Sequence, residues 1–189
     1  MTTRSHSIPL AEPPEPTDHS LGPEHARVVL VEYGDFQSPA CRQAAPIVRR
    51  LLDRFPNQIR FIYRHFPSEA LHPQALLAAE AAEAAAAQGR FWPMHDLLFA
   101  HQAHLTAKDL QRHAESLGLD MARYAVEMDD RIYLQKVREH LDGGRRSHVR
   151  ASPAFFLGGA AQDLAGRDLA AGLLELEEHL ARAVRHAYP

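Results

Sequence analysis

Cysteine is nearly absent from this chain, because Cys41 is the only one among its 189 residues. One copy therefore cannot cycle a disulfide within itself, and a small secreted scaffold held together by several disulfides is excluded. A chain of this length buries most of the surface that it exposes when unfolded, so it can fold without a disulfide or a metal ion. We expect one globular domain with an apolar core.

The chain also lacks a strong excess of charge of one sign, and it lacks long apolar runs. With 21 basic and 24 acidic residues the net charge is -3, so we expect no nucleic-acid partner and no attraction to anionic lipid. No stretch approaches the roughly 20 apolar residues of a membrane span, and residues 1–10 lack the apolar core of a signal peptide. These absences predict a cytoplasmic protein that does not enter the membrane.

Proline is not scarce, but much of it is concentrated at the N-terminus. Residues 1–26 contain Pro9, Pro13, Pro14, Pro16 and Pro23. Proline fixes its own φ angle and lacks a backbone N–H, so this composition predicts an extended arm with little helix or strand. We therefore place a domain boundary here, with an arm at 1–26 and the folded domain at 27–189.

Residues 28–63 have the pattern of a βαβ unit. The segment 28–33 begins with four consecutive apolar β-formers, which predicts a strand buried on both faces. Ser38 and Pro39 are typical of an N-cap and of a first helical position, and an apolar series with helical spacing follows them. A second strand covers 59–63, and the helical connection predicts that the two strands are parallel.

The middle of the chain, about residues 70–144, is predicted to be helical, and residues 75–87 are rich in the strong helix formers alanine and glutamate. Thr106 and Asp109 match a capping box at the start of one helix. A further helix lies within about 121–141, and we expect the pair Gly143-Gly144 to end it. The segment is predicted to be a helical insertion that follows the βαβ unit.

The last part of the chain predicts a hairpin and a helix. Residues 154–157 form a short strand, Gly158 and Gly159 suit a two-residue turn, and a second short strand lies near 160–164. Leucines and a valine then recur every three or four residues over 169–184, which predicts a final helix. The whole order is βαβ, helices, ββα.

The segment between the first strand and its helix is the best candidate for chemistry. Helix N-termini stabilise anions through free N–H groups, and a thiol placed there can have its pKa lowered. Ser38 has the N-cap position and Cys41 lies three residues later, at the start of the buried face. From the residues alone, the simpler interpretation is that Ser38 caps the helix and Cys41 packs in the core.

Several stretches resemble the bacterial DsbA-like proteins of the thioredoxin family. They are Val31-Glu-Tyr-Gly-Asp-Phe36, Phe61-Ile-Tyr-Arg-His-Phe-Pro67, Ala78-Ala-Glu-Ala-Ala82, Gly89-Arg-Phe-Trp-Pro-Met-His-Asp96 and Ser152-Pro-Ala-Phe-Phe156. The resemblance extends from about residue 27 to 186, in the family's order. It implies an α/β thioredoxin fold with a helical insertion of about 70–144, and kinship with thiol:disulfide oxidoreductases.

The chain departs from that family at the centre of its mechanism. In the family the helix begins with Cys-x-x-Cys, whose first cysteine attacks a disulfide and whose second resolves the product. Here the same positions read Ser38-Pro39-Ala40-Cys41, so the nucleophile is replaced and the resolving cysteine is kept. Because disulfide exchange needs a thiolate, we expect no dithiol activity and a buried, slowly reacting Cys41.

The resemblance implies roles for other residues near this helix. Ser152-Pro153 matches the family's cis-proline loop, which together with Pro39 and Ala40 would bind a thiol or an extended peptide substrate. Glu32 matches a buried acid that relays a proton to the cysteine pair, although an edge position in solvent is equally compatible with its place in the strand. The oligomeric state has no signal in the sequence.

Histidine is abundant, with 13 copies, but none stands in a recognised zinc spacing. We therefore expect no metal site, and no cofactor other than glutathione. His95, His101 and His104 are interpreted as surface or packing residues, and His65 as structural.

Three functions are compatible with this pattern. The first is a redox-family protein that works through Cys41 alone, in a mixed disulfide with glutathione or with another chain. The second is a glutathione-dependent transferase or isomerase, similar to kappa-class glutathione transferases, in which Ser38 would hold the thiolate; the flanking sequence resembles the redox branch instead. The third is a non-catalytic module that binds peptides beside Pro153. An engineered Cys→Ser exchange at position 38 is also compatible with the sequence.

Overall fold

A computed structural model describes residues 9–162 and 168–188, which form five strands and seven helices. The strands are β1 (His19–Leu21), β2 (Val28–Gly34), β3 (Ile59–His65), β4 (Ala154–Leu157) and β5 (Ala160–Gln162). The helices are α1 (Pro39–Arg54), α2 (Ala75–Ala86), α3 (Phe91–Ala100), α4 (Ala107–Ser116), α5 (Met121–Asp129), α6 (Leu134–Arg146) and α7 (Leu169–Ala187). The predicted order of βαβ, helices and ββα is confirmed, with α2 to α6 as the insertion.

The strands form one mixed sheet in the order β1-β3-β2-β4-β5. β2 and β3 are parallel, as the βαβ pattern predicted, and β4 lies antiparallel to β2 on its other side. Gly158 and Gly159 have φ angles of 56° and 82°, the left-handed conformation that the turn between β4 and β5 requires. Of the predicted strand near 160–164, residues 163 and 164 lie outside the described residues.

Both faces of the sheet are covered, which explains the uninterrupted apolar pattern of β2. Val28 and Leu30 belong to the larger core, which also contains buried residues of α1 and α7. Val31 and Tyr33 point to the opposite face and pack in a smaller core with residues such as Leu141 of α6. Because side chains alternate along a strand, Glu32 lies on the same face as Leu30, the face that α1 covers.

The described part of the arm at residues 1–26 is extended, as expected, and it lies on the domain, where it also contributes one short strand. His19–Leu21 forms β1, which pairs antiparallel with β3 at the edge of the sheet. Arg64 fixes the chain before it, since its guanidinium donates to both carboxylate oxygens of Asp18 at 2.8 Å and to the carbonyls of Glu12 and Pro13 at 2.9 Å. Local composition could not predict this, because the arm's backbone acceptors find their donor in a distant strand.

The prediction that Gly143 and Gly144 end a helix is wrong. The expected helix at 121–141 is divided into α5 and α6, and α6 continues through both glycines to Arg146. A Cβ atom on Gly144 would lie 2.7 Å from the ring of Phe66 and 3.1 Å from that of Tyr33. Glycine is therefore present because α6 packs closely on the sheet, not because the helix stops there.

Other local predictions agree with the structure. Thr106 and Asp109 form the reciprocal hydrogen bonds of a capping box at the start of α4, and Gly118 follows that helix with a φ of 70°. Within the described ranges, no helix combines the length and the apolar character needed to cross a bilayer.

Candidate functional site

Ser38 lies at the end of the loop between β2 and α1, and it is the N-cap of the helix. Its backbone is extended, with φ at -73° and ψ at 120°, and its Oγ accepts a hydrogen bond from the Cys41 N–H at 3.4 Å. Pro39 follows as the first helical residue and is exposed, whereas Ser38 is only 3% exposed. The prediction that Ser38 is the N-cap is confirmed, and its hydroxyl is directed at the backbone of its own helix.

Cys41 is completely buried under the start of α1, with 0% of its surface exposed. Its Sγ accepts a hydrogen bond from the Asp35 N–H at 3.4 Å. Burial, reinforced by the nearby Glu32 carboxyl, raises the pKa of the thiol to about 12. The group is therefore a neutral thiol at physiological pH, and the thiolate that would react as a nucleophile is scarce.

The Ser152–Pro153 peptide bond is cis, as the resemblance implied. It immediately precedes β4, whose Ala154 lies opposite Tyr33 of β2, so the loop stands at the end of the sheet where α1 begins. A hydrogen bond from the Ser152 side chain partly offsets the rise in the pKa of Cys41. The structure thus brings Ser152, Pro153 and Cys41 together, and their roles in binding stay predictions.

Glu32 is buried within β2, opposite Phe155 of β4, rather than solvated at an edge. Only 2% of its surface is exposed, and its Oε1 has no hydrogen-bond partner among the described residues. Burial raises the pKa of its carboxyl to about 8. Glu32 therefore holds a proton at neutral pH, and its contribution as a proton relay stays a prediction.

The sequence interpretation missed Asp35, a buried carboxylate that ties two loops together. Its Oδ1 accepts the Gln37 N–H at 2.8 Å. Its Oδ2 accepts the Ser68 N–H at 3.0 Å and lies 2.7 Å from Nδ1 of His72. The loop after β2 is thereby joined to the loop after β3. The only local signal was an acid directly after a buried strand, and nothing pointed to His72.

Gln102 is a second residue that was missed, and it holds the same loop from the helical insertion. Its Nε2 donates to the carbonyls of Phe36 at 2.9 Å and of Ser38 at 2.8 Å. Glutamine carries no motif, and its contacts are more than 60 residues away in the chain. With Asp35 and Gln102 in place, the backbone before α1 is restrained from both sides.

A groove of about 480 Å³ opens beside the cis-proline loop. It begins at Ser152 and runs between the segment after β3 and the end of α6. Its apolar lining comes from Phe66, Leu71, Leu141 and Val149, and its charged lining from Arg145, Arg150 and Glu69, with Arg145 also paired with Asp142. Leu71 is 75% exposed at the wall of this groove.

Comparison with known proteins agrees with this architecture. A family model described as Thioredoxin matches residues 14–168. The oxidised form of BdbD from Bacillus subtilis superposes with a TM-score of 0.77 at 20% identity, covering 89% of this chain and 93% of that one. The α-DsbA1 protein of Wolbachia pipientis gives a TM-score of 0.73 at 17% identity, covering 92% and 94%. The predicted DsbA-like thioredoxin fold is confirmed.

The relatives found by sequence are named as Na⁺/H⁺ antiporters and not as DsbA-like proteins. The Na⁺/H⁺ antiporter NhaA 1 of Salinispora arenicola is 49% identical over 153 residues, which cover 80% of this chain and 23% of the antiporter. A similar antiporter of Salinispora tropica is 46% identical over the same share of each chain. The chain therefore spans about a quarter of the length of the curated relatives it matches.

Proposed function

This chain belongs to the thioredoxin family, in its DsbA-like form, and we propose that it is a binding module that does not carry out dithiol–disulfide exchange. One observation carries the proposal: the nucleophile's position holds the alcohol of Ser38, and the remaining thiol, Cys41, is 0% exposed. Exchange proceeds through an accessible thiolate. The chain offers neither the first thiol nor access to the second.

The groove beside the cis-proline loop supports binding as the remaining activity. An extended peptide can add its backbone to a loop of this kind while its side chains enter neighbouring pockets. The exposed Leu71 would contact an apolar side chain, and Arg145 and Arg150 would favour an acidic one. The ligand class that fits is therefore an extended peptide with apolar and acidic residues.

A disulfide-exchange assay tests the chemical half of the proposal. The parent protein should reduce neither insulin nor glutathione disulfide above background. Ser38→Cys restores Cys-x-x-Cys on a helix N-terminus, so it should gain turnover. Ser38→Cys combined with Cys41→Ser is the matched control, which should form a mixed disulfide but not turn over. Turnover by the parent at a rate near that of Ser38→Cys would contradict the proposal.

A binding assay tests the other half. The probe is a fluorescent extended peptide of alternating apolar and acidic residues. We expect Leu71→Ser to weaken its binding at least fivefold, because the apolar contact is lost. Leu174→Ser changes a leucine on α7 that is similarly exposed, at 63%, and should have no effect. Cys41→Ser should leave binding unchanged. Equal binding by the Leu71 and Leu174 variants would show that the peptide does not bind in this groove.

Glutathione, the other ligand considered for this site, has less support. A transferase would need the Ser38 hydroxyl turned towards a bound thiolate. Instead Ser38 is 3% exposed and accepts the Cys41 N–H. We therefore expect no heat of binding in calorimetry with millimolar glutathione. Clear binding in that experiment would support the transferase function instead.

We also propose that the module works beside a Na⁺/H⁺ antiporter, because its curated relatives carry that name and contain a matching segment. Deleting that segment from the Salinispora arenicola relative should alter Na⁺/H⁺ exchange in everted membrane vesicles at equal amounts of protein. An unchanged exchange rate over the whole pH range would contradict this partnership.

The cytoplasm is the compartment that we propose, since a single buried thiol needs no oxidising surroundings. Fusing alkaline phosphatase, which is active only outside the cytoplasm, to the full-length protein tests this. We expect an inactive fusion, whereas an active one would place the domain on the other side of the membrane.

A further inference from the structure

Three side chains with metal-ligating atoms meet between the edge of the sheet and α2. They are His19 of β1, His65 of β3 and Glu83 of α2. Nε2 of His19 lies 2.8 Å from Glu83 Oε1, and Nε2 of His65 lies 2.9 Å from the same oxygen. All three ligand atoms are within 4.8 Å of one another. We propose that this cluster binds a divalent transition metal ion of the zinc type.

The donor set suits such an ion. Two imidazole nitrogens and one carboxylate oxygen are ligands that zinc accepts, and a fourth position then remains for water. Ligands about 2.1 Å from a tetrahedral ion lie about 3.4 Å from each other. The two nitrogen–oxygen pairs would therefore have to open by only about half an ångström for the ion to enter.

The fold holds the three side chains in place. His65 and Glu83 have side chains only 1% and 2% exposed, and that of His19 is 14% exposed. The ring of His19 stacks on Phe91, with 3.5 Å between centroids and 11° between planes. Such restraint lowers the cost of arranging ligands around an ion. Ordinary sequence spacing gave no signal, because Glu83 is 64 residues from His19 and 18 from His65.

The cluster already holds a cation that belongs to the chain. Nζ of Lys136, on α6, lies 2.8 Å from Glu83 Oε2 and 3.1 Å from Nε2 of His19. The lysine side chain is 30% exposed, so a change of rotamer can move its ammonium into solvent. A metal ion and Lys136 would thus compete for Glu83. The site is therefore one in which metal binding displaces an internal ammonium group.

His140 lies beside the cluster but is not one of its ligands. Its Nδ1 accepts the backbone N–H of His65 at 3.2 Å, and its ring stacks on the His65 ring with 5.5 Å between centroids. It therefore contributes to holding His65 in position. The competing account is that all these groups form only an ion-pair network that attaches β1 to α2 and α6, with no affinity for metal.

Metal titration of the chelator-treated protein distinguishes the two accounts. The probes are Zn²⁺ followed by calorimetry and Co²⁺ followed by its visible absorption. We expect one high-affinity ion per chain and at least a hundredfold loss of affinity in His19→Ala. Lys136→Met should bind at least tenfold more tightly than the parent, because the competing ammonium is gone. A network without metal affinity predicts no binding by either the parent or Lys136→Met.

Histidine-rich surfaces also bind such ions, so two control variants are needed. His101 is exposed, and its ring lies 5.4 Å from that of His113, which makes this pair the main rival site. His101→Ala and the exposed His25→Ala should both keep the high-affinity site. If binding survives His19→Ala but is lost in His101→Ala, the proposal is overturned.

Loss of Glu83 can impair folding, so the test does not depend on it. Thermal unfolding with and without Zn²⁺ supplies a second measurement on the folded variants. We expect Zn²⁺ to raise the Tm of the parent and to raise that of Lys136→Met further, with no increase in His19→Ala. An equal increase in all three would mean that the ion binds elsewhere. These results are independent of the disulfide-exchange and peptide assays.

Discussion

Two glutamates in the same protein core show how partners, and not burial alone, decide the state of a carboxyl group. Glu32 and Glu83 each expose 2% of their surface or less. Burial by itself raises the pKa of both groups. For Glu32 no hydrogen bond or charge opposes the effect of burial, and the pKa rises to about 8. For Glu83 the hydrogen bonds from His19 and His65 outweigh burial, so its pKa is well below the ordinary range.

The two regions around these glutamates differ accordingly. At the start of α1, Glu32 and Cys41 are both neutral, while the buried Asp35 carboxyl group pairs with His72 beside them. At the edge of the sheet, Glu83 is ionised and gathers Lys136 and two imidazoles. The two glutamates therefore differ in their partners, because Glu83 has three nitrogen groups around it and Oε1 of Glu32 has no hydrogen-bond partner among the described residues.

The largest expected effect comes from removing the charge of Glu83. Glu83→Gln leaves Lys136 and two histidines without their carboxylate, and breaking a buried charged pair costs about 3 kcal/mol or more. We expect the free energy of unfolding, from urea titration in the presence of chelator, to fall by that amount. The matched control is Glu177→Gln, which breaks the more exposed ion pair with Arg54 and should change it by less than about 1 kcal/mol. Equal losses would mean that the cluster does not stabilise the fold.

An effect of opposite sign and comparable size is expected at Glu32. Below its ordinary pKa of 4.5, the carboxyl is protonated in both the folded and the unfolded chain. As the pH rises from 4.5 to about 8, the unfolded chain releases this proton and the folded chain retains it. The stability that the protonated group contributes is therefore lost progressively over that range.

Glu32→Gln removes this titration while keeping the shape of the side chain. Relative to the parent, the variant should gain on the order of 4 kcal/mol of stability between pH 4 and pH 8, because the pKa rises from 4.5 to about 8. Urea unfolding at several pH values measures the difference. A gain of the same size at pH 4 and pH 8 would show that packing, not ionisation, is responsible, and the contrast with Glu83 would then fail.

Sequence reasoning succeeded where a structure depends on neighbouring residues. Strand β2, the Ser38 cap, the burial of Cys41 and the Gly158-Gly159 turn all follow from local pattern, and the structure confirms each. The DsbA-like fold and the cis bond before Pro153 came from the family resemblance, since a cis X–Pro bond has a prior of only about 5–6%.

It failed where distant groups decide the outcome. β1 exists because β3 supplies an edge and Arg64 binds the chain before it, and Gly144 lies inside α6 because Phe66 needs the space. The cluster around Glu83 has the same origin. In the sequence Glu83 is one residue of an alanine-rich helix and has no motif, and its partners come from β1, β3 and α6.

The smallest effect separates the two histidine partners of Glu83 from each other. His19 is at the edge and part-exposed, whereas the side chain of His65 is only 1% exposed. His19→Ala leaves His65 and Lys136 on the carboxylate, so we expect a loss of about 1 kcal/mol in chelator, the usual contribution of one hydrogen bond. A loss as large as that of Glu83→Gln, measured by the same urea titration, would show that β1 detaches from the sheet when its histidine is removed. A loss near 1 kcal/mol would leave β1 in place, so that the metal-binding defect of this variant could be attributed to the missing ligand.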